Sequence, residues 1–256
     1  MRLKEKVSVV TGGGSGFGKA IAILFAKEGS NIIVNDINDE AGKSTVELIN
    51  NSGGKASYVN GDVSTEKCWN EIRDAALNEF GKISVVVNNA GFTHKNQSMF
   101  TVDEDTFDKM YAINVKSLFW SSKVLVPTID NNGGSFITIA SVSGLRPRPG
   151  LVWYAGSKAA AILTSKAMAV ELAPKKIRVN CVNPVISPTG LIEKFMGMEN
   201  TTENREKFLG TIPLGRMAKP DDVANAALYF ASDEAEFITG AAIAWALYMA
   251  DKYLFF

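Results

Sequence analysis

Three side chains could together move a proton to or from an oxygen atom: Ser141, Tyr154 and Lys158. Tyr154 and Lys158 are four apart in a segment of helical pattern, so they share a face with Ala155 and Ile162. A lysine on an apolar face is unusual unless its head snorkels to water. A phenol with an ordinary pKa of about 10 becomes an acid/base near neutrality only when a cation stabilises the phenolate. Lowering it by about 3 units takes roughly 4 kcal/mol, and a close ammonium is one source. Ser141, at the end of a predicted strand, can hydrogen-bond the same substrate oxygen. Asn114 falls on an apolar stripe with residues 107, 110, 111, 115, 118 and 119. Its buried amide must find partners, either as a tie to backbone or as a station in a polar site. Serine hydrolysis is disfavoured, because the only histidine, His94, follows another strand and no serine sits in GxSxG.

A second chemistry lies in Thr11-Gly12-Gly13-Gly14-Ser15-Gly16-Phe17-Gly18, between a strand and an amphipathic helix. Free N–H groups and the positive end of a helix dipole there suit a pyrophosphate. The spacing is TGxxxGxG rather than GxGxxG. Residues 13–19 also fit GxxxxGK, but the next residue is Ala20, where a P-loop needs Ser or Thr to hold magnesium. The bland alternative is a tight glycine turn without a ligand. Asp36 ends the second strand 24 residues after Gly12, near the spacing of about 20 for an acid that accepts from an adenosine ribose. It is otherwise a turn residue. A carboxylate there repels a 2′-phosphate, no Arg or Lys follows it immediately, and Ser15 is uncharged, so NAD is favoured over NADP. Lys19 is the nearest cation. The positive charge of an oxidised nicotinamide would add to Lys158 in stabilising a Tyr154 phenolate.

The elements that must position these groups alternate. Residues 7–11, 31–35, 55–60, 84–88, 135–141 and 177–183 read as strands, with a weaker seventh near 241–247, and helical patterns lie between them. That rhythm gives a parallel α/β sheet with helices on both faces, uninterrupted by any linker, hence a single domain over 1–256. Ligands in such a sheet sit beyond the carboxyl ends of the strands. There the chain places Gly12, Asp36, Asp62, Asn88 to Gly91, Ser141 and Asn183-Pro184. Composition agrees with a globular protein of small partners: 46% hydrophobic, 21% charged, and 27 basic against 27 acidic residues. Neither nucleic acid nor an anionic membrane is suggested. Two cysteines without metal-ligand spacing argue against a disulfide framework or a metal site and for a reducing, cytoplasmic setting. The first ten residues lack a signal-peptide core. The longest apolar run, 241–250, is half of the roughly 20 residues a membrane helix needs.

Taken together, TGGGSGFG at 11–18, Asp62-Val63, NNAG at 88–91, Asn114, Ser141, YAGSK at 154–158 and Asn183-Pro184 with Thr189 resemble the short-chain dehydrogenase/reductase family from Lys6 to about Gly240. The resemblance implies a Rossmann-type doubly wound sheet of about seven strands and an oxidoreductase moving a hydride between NAD(H) and a secondary alcohol or ketone. It implies Tyr154 as general acid/base and Lys158 as ribose ligand and tuner of the tyrosine. Ser141 would orient the substrate oxygen, and Asn114 would hold a proton-relaying water. Cofactor contacts would come from Gly12, Ser15, Gly16, Phe17, Gly18 and Asp36. Asp62 and Val63 would flank adenine, Asn89, Ala90 and Gly91 would line the cofactor, and Thr189 with the Pro184 to Ser187 loop would hold the carboxamide. Family members are commonly dimers or tetramers, so a homo-oligomer is expected.

Two departures stand out. Val185 replaces the usual Gly after Asn183-Pro184 and Ser187 a common Ile, and the tail from 241 reads AAIAWALYMADKYLFF in place of a strand and an Asp-Gly-Gly turn. Specificity is expected in 92–100, 142–153 and a lid region of about 186–212, where Phe195, Met196 and Met198 suggest an adaptable apolar cover. Arg146 and Arg148 either meet an anionic substrate or sit in an ordinary Pro-rich loop. The rival function is a cofactor-binding regulatory or scaffold protein without turnover, against which the complete Ser141, Tyr154 and Lys158 set argues.

Overall fold

A computed structural model describes residues 1–129, 132–188, 190–210 and 212–244, without the side chains of 207 and 208. Seven strands are described: β1 (Val7–Thr11), β2 (Asn31–Asp36), β3 (Lys55–Asn60), β4 (Val85–Asn88), β5 (Gly134–Ile139), β6 (Ile177–Asn183) and β7 (Ala242–Ala244). They form one sheet in the order β3-β2-β1-β4-β5-β6-β7, and every neighbouring pair is parallel. Strand order therefore reverses between β1 and β4, and a crevice opens beyond their carboxyl ends.

Alternation along each strand sorts side chains between two cores. Val10, Val34, Val87, Ile137 and Val182 face α1 (Gly16–Lys27), α2 (Asp39–Asn51) and, near the carboxyl-terminal end of the chain, α9 (Pro220–Ala231). Val9, Ile33, Val86, Phe136 and Val179 face α3 (Glu66–Phe80), α5 (Ser117–Leu125) and α6 (Val152–Leu172). Such period-2 sorting is what a parallel sheet covered on both faces requires. Between α3 and α5 lies α4 (Glu104–Tyr111); the short α7 (Ile192–Met196) and α8 (Thr202–Leu209) sit between β6 and α9.

Three expectations shift. The fifth strand ends at Ile139, so Ser141 opens the turn that follows it. The stripe through Asn114 does not continue to Phe119, because residues 112–116 form a π-helical turn between α4 and α5. The extra residue rotates the later positions, burying Asn114 and Leu118 and leaving Phe119 53% exposed. β7 covers only part of the predicted seventh strand, and residues 245–256 of the unusual tail lie outside the described residues. No described helix is long and apolar enough to cross a membrane, and no described group of three or more His, Cys, Asp or Glu side chains could hold a metal ion.

Candidate active site

The loops at the carboxyl ends of β1 to β6 surround a cavity of about 540 Å³. Its floor at β1 is the glycine turn. Gly12 has φ of 62°, a left-handed conformation that glycine adopts without steric cost, and a side chain there would meet Asn89 and Ala90. Ser15 precedes α1 in extended conformation with its hydroxyl unused as a cap. Ser15, Gly16 and Phe17 line the cavity at the amino end of this 12-residue helix, so its unpaired N–H groups and positive dipole end meet the cavity. Gly18 does not line it. A Cβ there would fall 2.1 Å from the Gly12 carbonyl and 2.5 Å from Asn89 Nδ2, so Gly18 lets α1 press against the turn from beneath. Lys19 does not line this cavity; it borders a second concavity, with Lys27 and Pro220, that shares Gly16 with the first.

Asp36 Oδ2 accepts from the Gly14 N–H at 2.8 Å and Oδ1 from the Asn38 N–H at 2.9 Å. A carboxylate has about four lone-pair sites, so it can tie the glycine turn and still accept from a ligand. Asp62 and Val63 line the same end, with the Val63 carbonyl held by Trp69 Nε1 at 2.8 Å. Thr11, which sequence reasoning did not single out as a site residue, binds the two halves of the switch point. Its Oγ1 accepts from the Asn89 and Ala90 N–H groups at 3.0 and 3.1 Å, while Asn89 Nδ2 donates to the Thr11 carbonyl at 2.8 Å. That fixes Asn89, Ala90 and Gly91 on the cavity wall.

Ser141, Tyr154 and Lys158 converge on the opposite wall. Tyr154 lies in the first turn of α6 and Lys158 one turn on; both are about 95% buried. Lys158 Nζ donates to the Ile139 carbonyl at 3.0 Å and lies 5.9 Å from the Tyr154 ring centre. Burial holds the ammonium's pKa down, at about 8. Burial pushes the Tyr154 phenol above its ordinary range, and a hydrogen bond with Ser141 is what opposes it. Ser141 Oγ also accepts from the Ser143 N–H at 3.1 Å, which aims it.

Asn114 stands behind the wall rather than on it. Its Nδ2 donates to the Phe92 carbonyl and to Ser157 Oγ, each at 2.9 Å, and its Oδ1 accepts from the Phe92 N–H at 2.9 Å. Ser157 Oγ in turn donates to the Tyr154 carbonyl at 2.8 Å. These bonds couple the loop after β4 to the turn of α6 that bears the tyrosine. His94 is buried against the Lys95 carbonyl and is not on the cavity wall.

Beyond β6, Pro184, Val185, Ile186 and Ser187 line the cavity. Among the described residues, Ser187 Oγ and Asn183 Oδ1 are buried without a hydrogen-bond partner, polar atoms that an amide could satisfy. Thr189 lies outside the described residues. Of the expected apolar lid, Phe195 meets the Tyr154 ring edge-on at 5.2 Å, Met196 is buried and Met198 is 40% exposed. Asn96, which the sequence did not flag, staples the specificity loops: its N–H donates to the Lys194 carbonyl at 2.8 Å and its Nδ2 to Pro149 and Phe195 carbonyls at 3.3 and 3.4 Å.

A family model described as enoyl-(acyl carrier protein) reductase matches residues 12–245. The chain is 45% identical over 241 residues, 94% of this chain and 96% of the relative, to 4-formylbenzenesulfonate dehydrogenase of Comamonas testosteroni. It belongs to the short-chain dehydrogenase/reductase family. Within this family it is 38% identical over 244 residues to a 3-oxoacyl-[acyl-carrier-protein] reductase of Thermotoga maritima, covering 95% and 97% of the two chains. A 3-ketoacyl-(acyl-carrier-protein) reductase of Brucella melitensis solved with NADH superposes with a TM-score of 0.87 at 37% identity, covering 94% and 97%. Levodione reductase gives 0.90 at 26% identity over 95% and 96%. The short-chain dehydrogenase/reductase assignment makes the protein an oxidoreductase and explains why a glycine turn and a Ser-Tyr-Lys wall share one cavity.

Proposed function

We propose that the protein transfers a hydride between NAD(H) and the carbonyl or alcohol carbon of a small molecule, with Tyr154 as general acid/base. The observation that carries this is the convergence of Ser141, Tyr154 and Lys158 on one wall of a cavity whose far end is the glycine turn. Bound there, a nicotinamide dinucleotide supplies or accepts the hydride. Its diphosphate would rest on Ser15, Gly16 and Phe17, its adenosine between Asp36, Asp62 and Val63, and its amide on Ser187 and the 184–187 loop. Asp36 without an accompanying cation on this end of the cavity wall supports NAD over NADP.

Tyr154 gives its proton to the carbonyl oxygen in reduction and takes the alcohol proton in oxidation. Ser141 orients that oxygen by a second hydrogen bond. Lys158, held by the Ile139 carbonyl, places a buried positive charge beside the ring, and Asn114 keeps the surrounding loop in place. The exposed apolar side chains of Phe119, Leu163 and Val170 on α5 and α6 support the expected homo-oligomer. The test is a panel of alcohols, ketones and aldehydes, aryl aldehydes included, with each cofactor. Turnover with NAD(H) and a Tyr154-dependent rate is expected; NADH binding without turnover on any substrate rejects the reading.

A further inference from the structure

Charge on the cavity wall is segregated. Its carboxylates, Asp36 and Asp62, are at the β2 and β3 end, and its cations, Lys109, Arg146, Arg148 and Lys158, are all at the Ser141 and Tyr154 end. Lys158 is committed to the Ile139 carbonyl. Lys109 and Arg146 line the same cavity. Arg146 rides on the same tight turn as Ser141: its N–H donates to the Val142 carbonyl at 2.7 Å, and Val142 N–H donates to the Pro184 carbonyl at 3.1 Å, which fixes the base of that turn. Its guanidinium is exposed and has no carboxylate partner among the described residues. From α4, Lys109 places its ammonium 5.1 Å from the centre of the Phe92 ring, which Lys194 approaches from α7 at 5.0 Å. Phe92, Leu151 and Phe195 pack with Tyr154 into one apolar cluster on this wall.

We infer that the substrate is an anionic aryl or similarly flat carbonyl compound or alcohol, its carboxylate or sulfonate read by Arg146 and Lys109, and its body lying against Phe92 and Phe195. The inference rests on the hydride-transfer reading above and gives its substrate a charge. A cofactor diphosphate is a poor occupant of this rim, because the glycine turn that suits it lies at the β1 loop, whereas Arg146 is carried by the loop after β5. A planar guanidinium matches a carboxylate or sulfonate by paired N–H donors.

The test uses the full chain saturated with NADH. Binding of benzenesulfonate, benzoate and benzamide is measured by calorimetry, and kcat/KM by NADH consumption for benzaldehydes and acetophenones bearing para sulfonate, carboxylate, carboxamide or trimethylammonium. We expect the anions to exceed the carboxamide by about tenfold or more, trimethylammonium to be poorest, and the preference to shrink with added salt. Arg146→Gln should cut the anion-to-carboxamide ratio by about tenfold, with Arg146→Lys, which keeps the charge and loses the paired donors, retaining only part of it. Equal use of charged and neutral substrates, or failure of benzenesulfonate and benzoate to bind better than benzamide, overturns the inference while leaving hydride transfer standing. Preferential binding of the anions with no turnover does the reverse.

Discussion

The two ends of the cavity are built differently. At the β1 to β3 end, function rests on backbone: left-handed glycine, free helix N–H groups, and a carboxylate that braces the turn through Gly14 and Asn38. At the β4 to β6 end it rests on side chains from distant segments, joined by Asn114, Ser157 and Asn96. The first end is fixed by short-range chain geometry and should fail sharply when a backbone approach is blocked. The second is a network, in which removing the reacting group differs from removing its supports.

The largest effect expected is on the network side. Tyr154→Phe keeps the ring that packs on Phe195 and deletes the proton. Turnover should fall by at least about 100-fold with NADH affinity nearly retained, read by steady-state rates and fluorescence titration. Unchanged turnover removes Tyr154 from the chemistry. On the backbone side Gly18→Ala should act in the opposite way. Its methyl meets the Gly12 carbonyl, which cannot move without opening the glycine turn. Overpacking of this kind costs about 1–3 kcal/mol, so a lower Tm and NADH binding weaker by at least about tenfold are expected. A variant with wild-type Tm and affinity would show that α1 does not need that close approach.

That asymmetry also explains what the sequence could reveal. Period-2 and helical patterns located every strand to within a few residues, because burial on both faces of the sheet leaves a local trace in Val9/Val10 and Ile33/Val34. The glycine turn and Asp36 were readable for the same reason: contiguous residues encode a backbone shape. The π-helical turn at Asn114 was not, since one inserted residue leaves the apolar spacing nearly intact while rotating everything after it. Nor was the work of Thr11 and Asn96, small polar residues whose partners lie 78 residues away for Thr11 and 99 for Asn96. Lys109 had no local signal at all; only the fold brings α4 to the cavity that Arg146 also lines.

A middling effect should sharpen the comparison at Asp36, where a backbone brace and a ligand acceptor coincide. Asp36→Ala should narrow the preference for NAD over NADP by several-fold, the scale of a partly exposed charge interaction, and lower Tm by removing the Gly14 and Asn38 contacts. Asp36→Asn keeps one acceptor and loses the charge, so its preference should narrow with less loss of Tm. If discrimination is the same in all three proteins, other groups set it.

The smallest effect concerns tuning. Burial raises the Tyr154 pKa and Ser141 lowers it, so the phenol carries its proton at neutral pH. Reduction, which uses that proton, should hold its rate through neutrality and decline only as pH rises through the tyrosine's pKa. Oxidation, which needs the phenolate, should climb over the same interval. Deleting the hydroxyl in Ser141→Ala removes the opposing contribution, so both limbs should move to higher pH in addition to any loss in rate. Profiles of kcat/KM in the two directions measure this directly. Limbs that stay in place, or move toward acid, would mean that Ser141 orients the substrate oxygen without adjusting the acid beside it. The network end of the cavity would then divide orientation from proton affinity, with burial left to set the second.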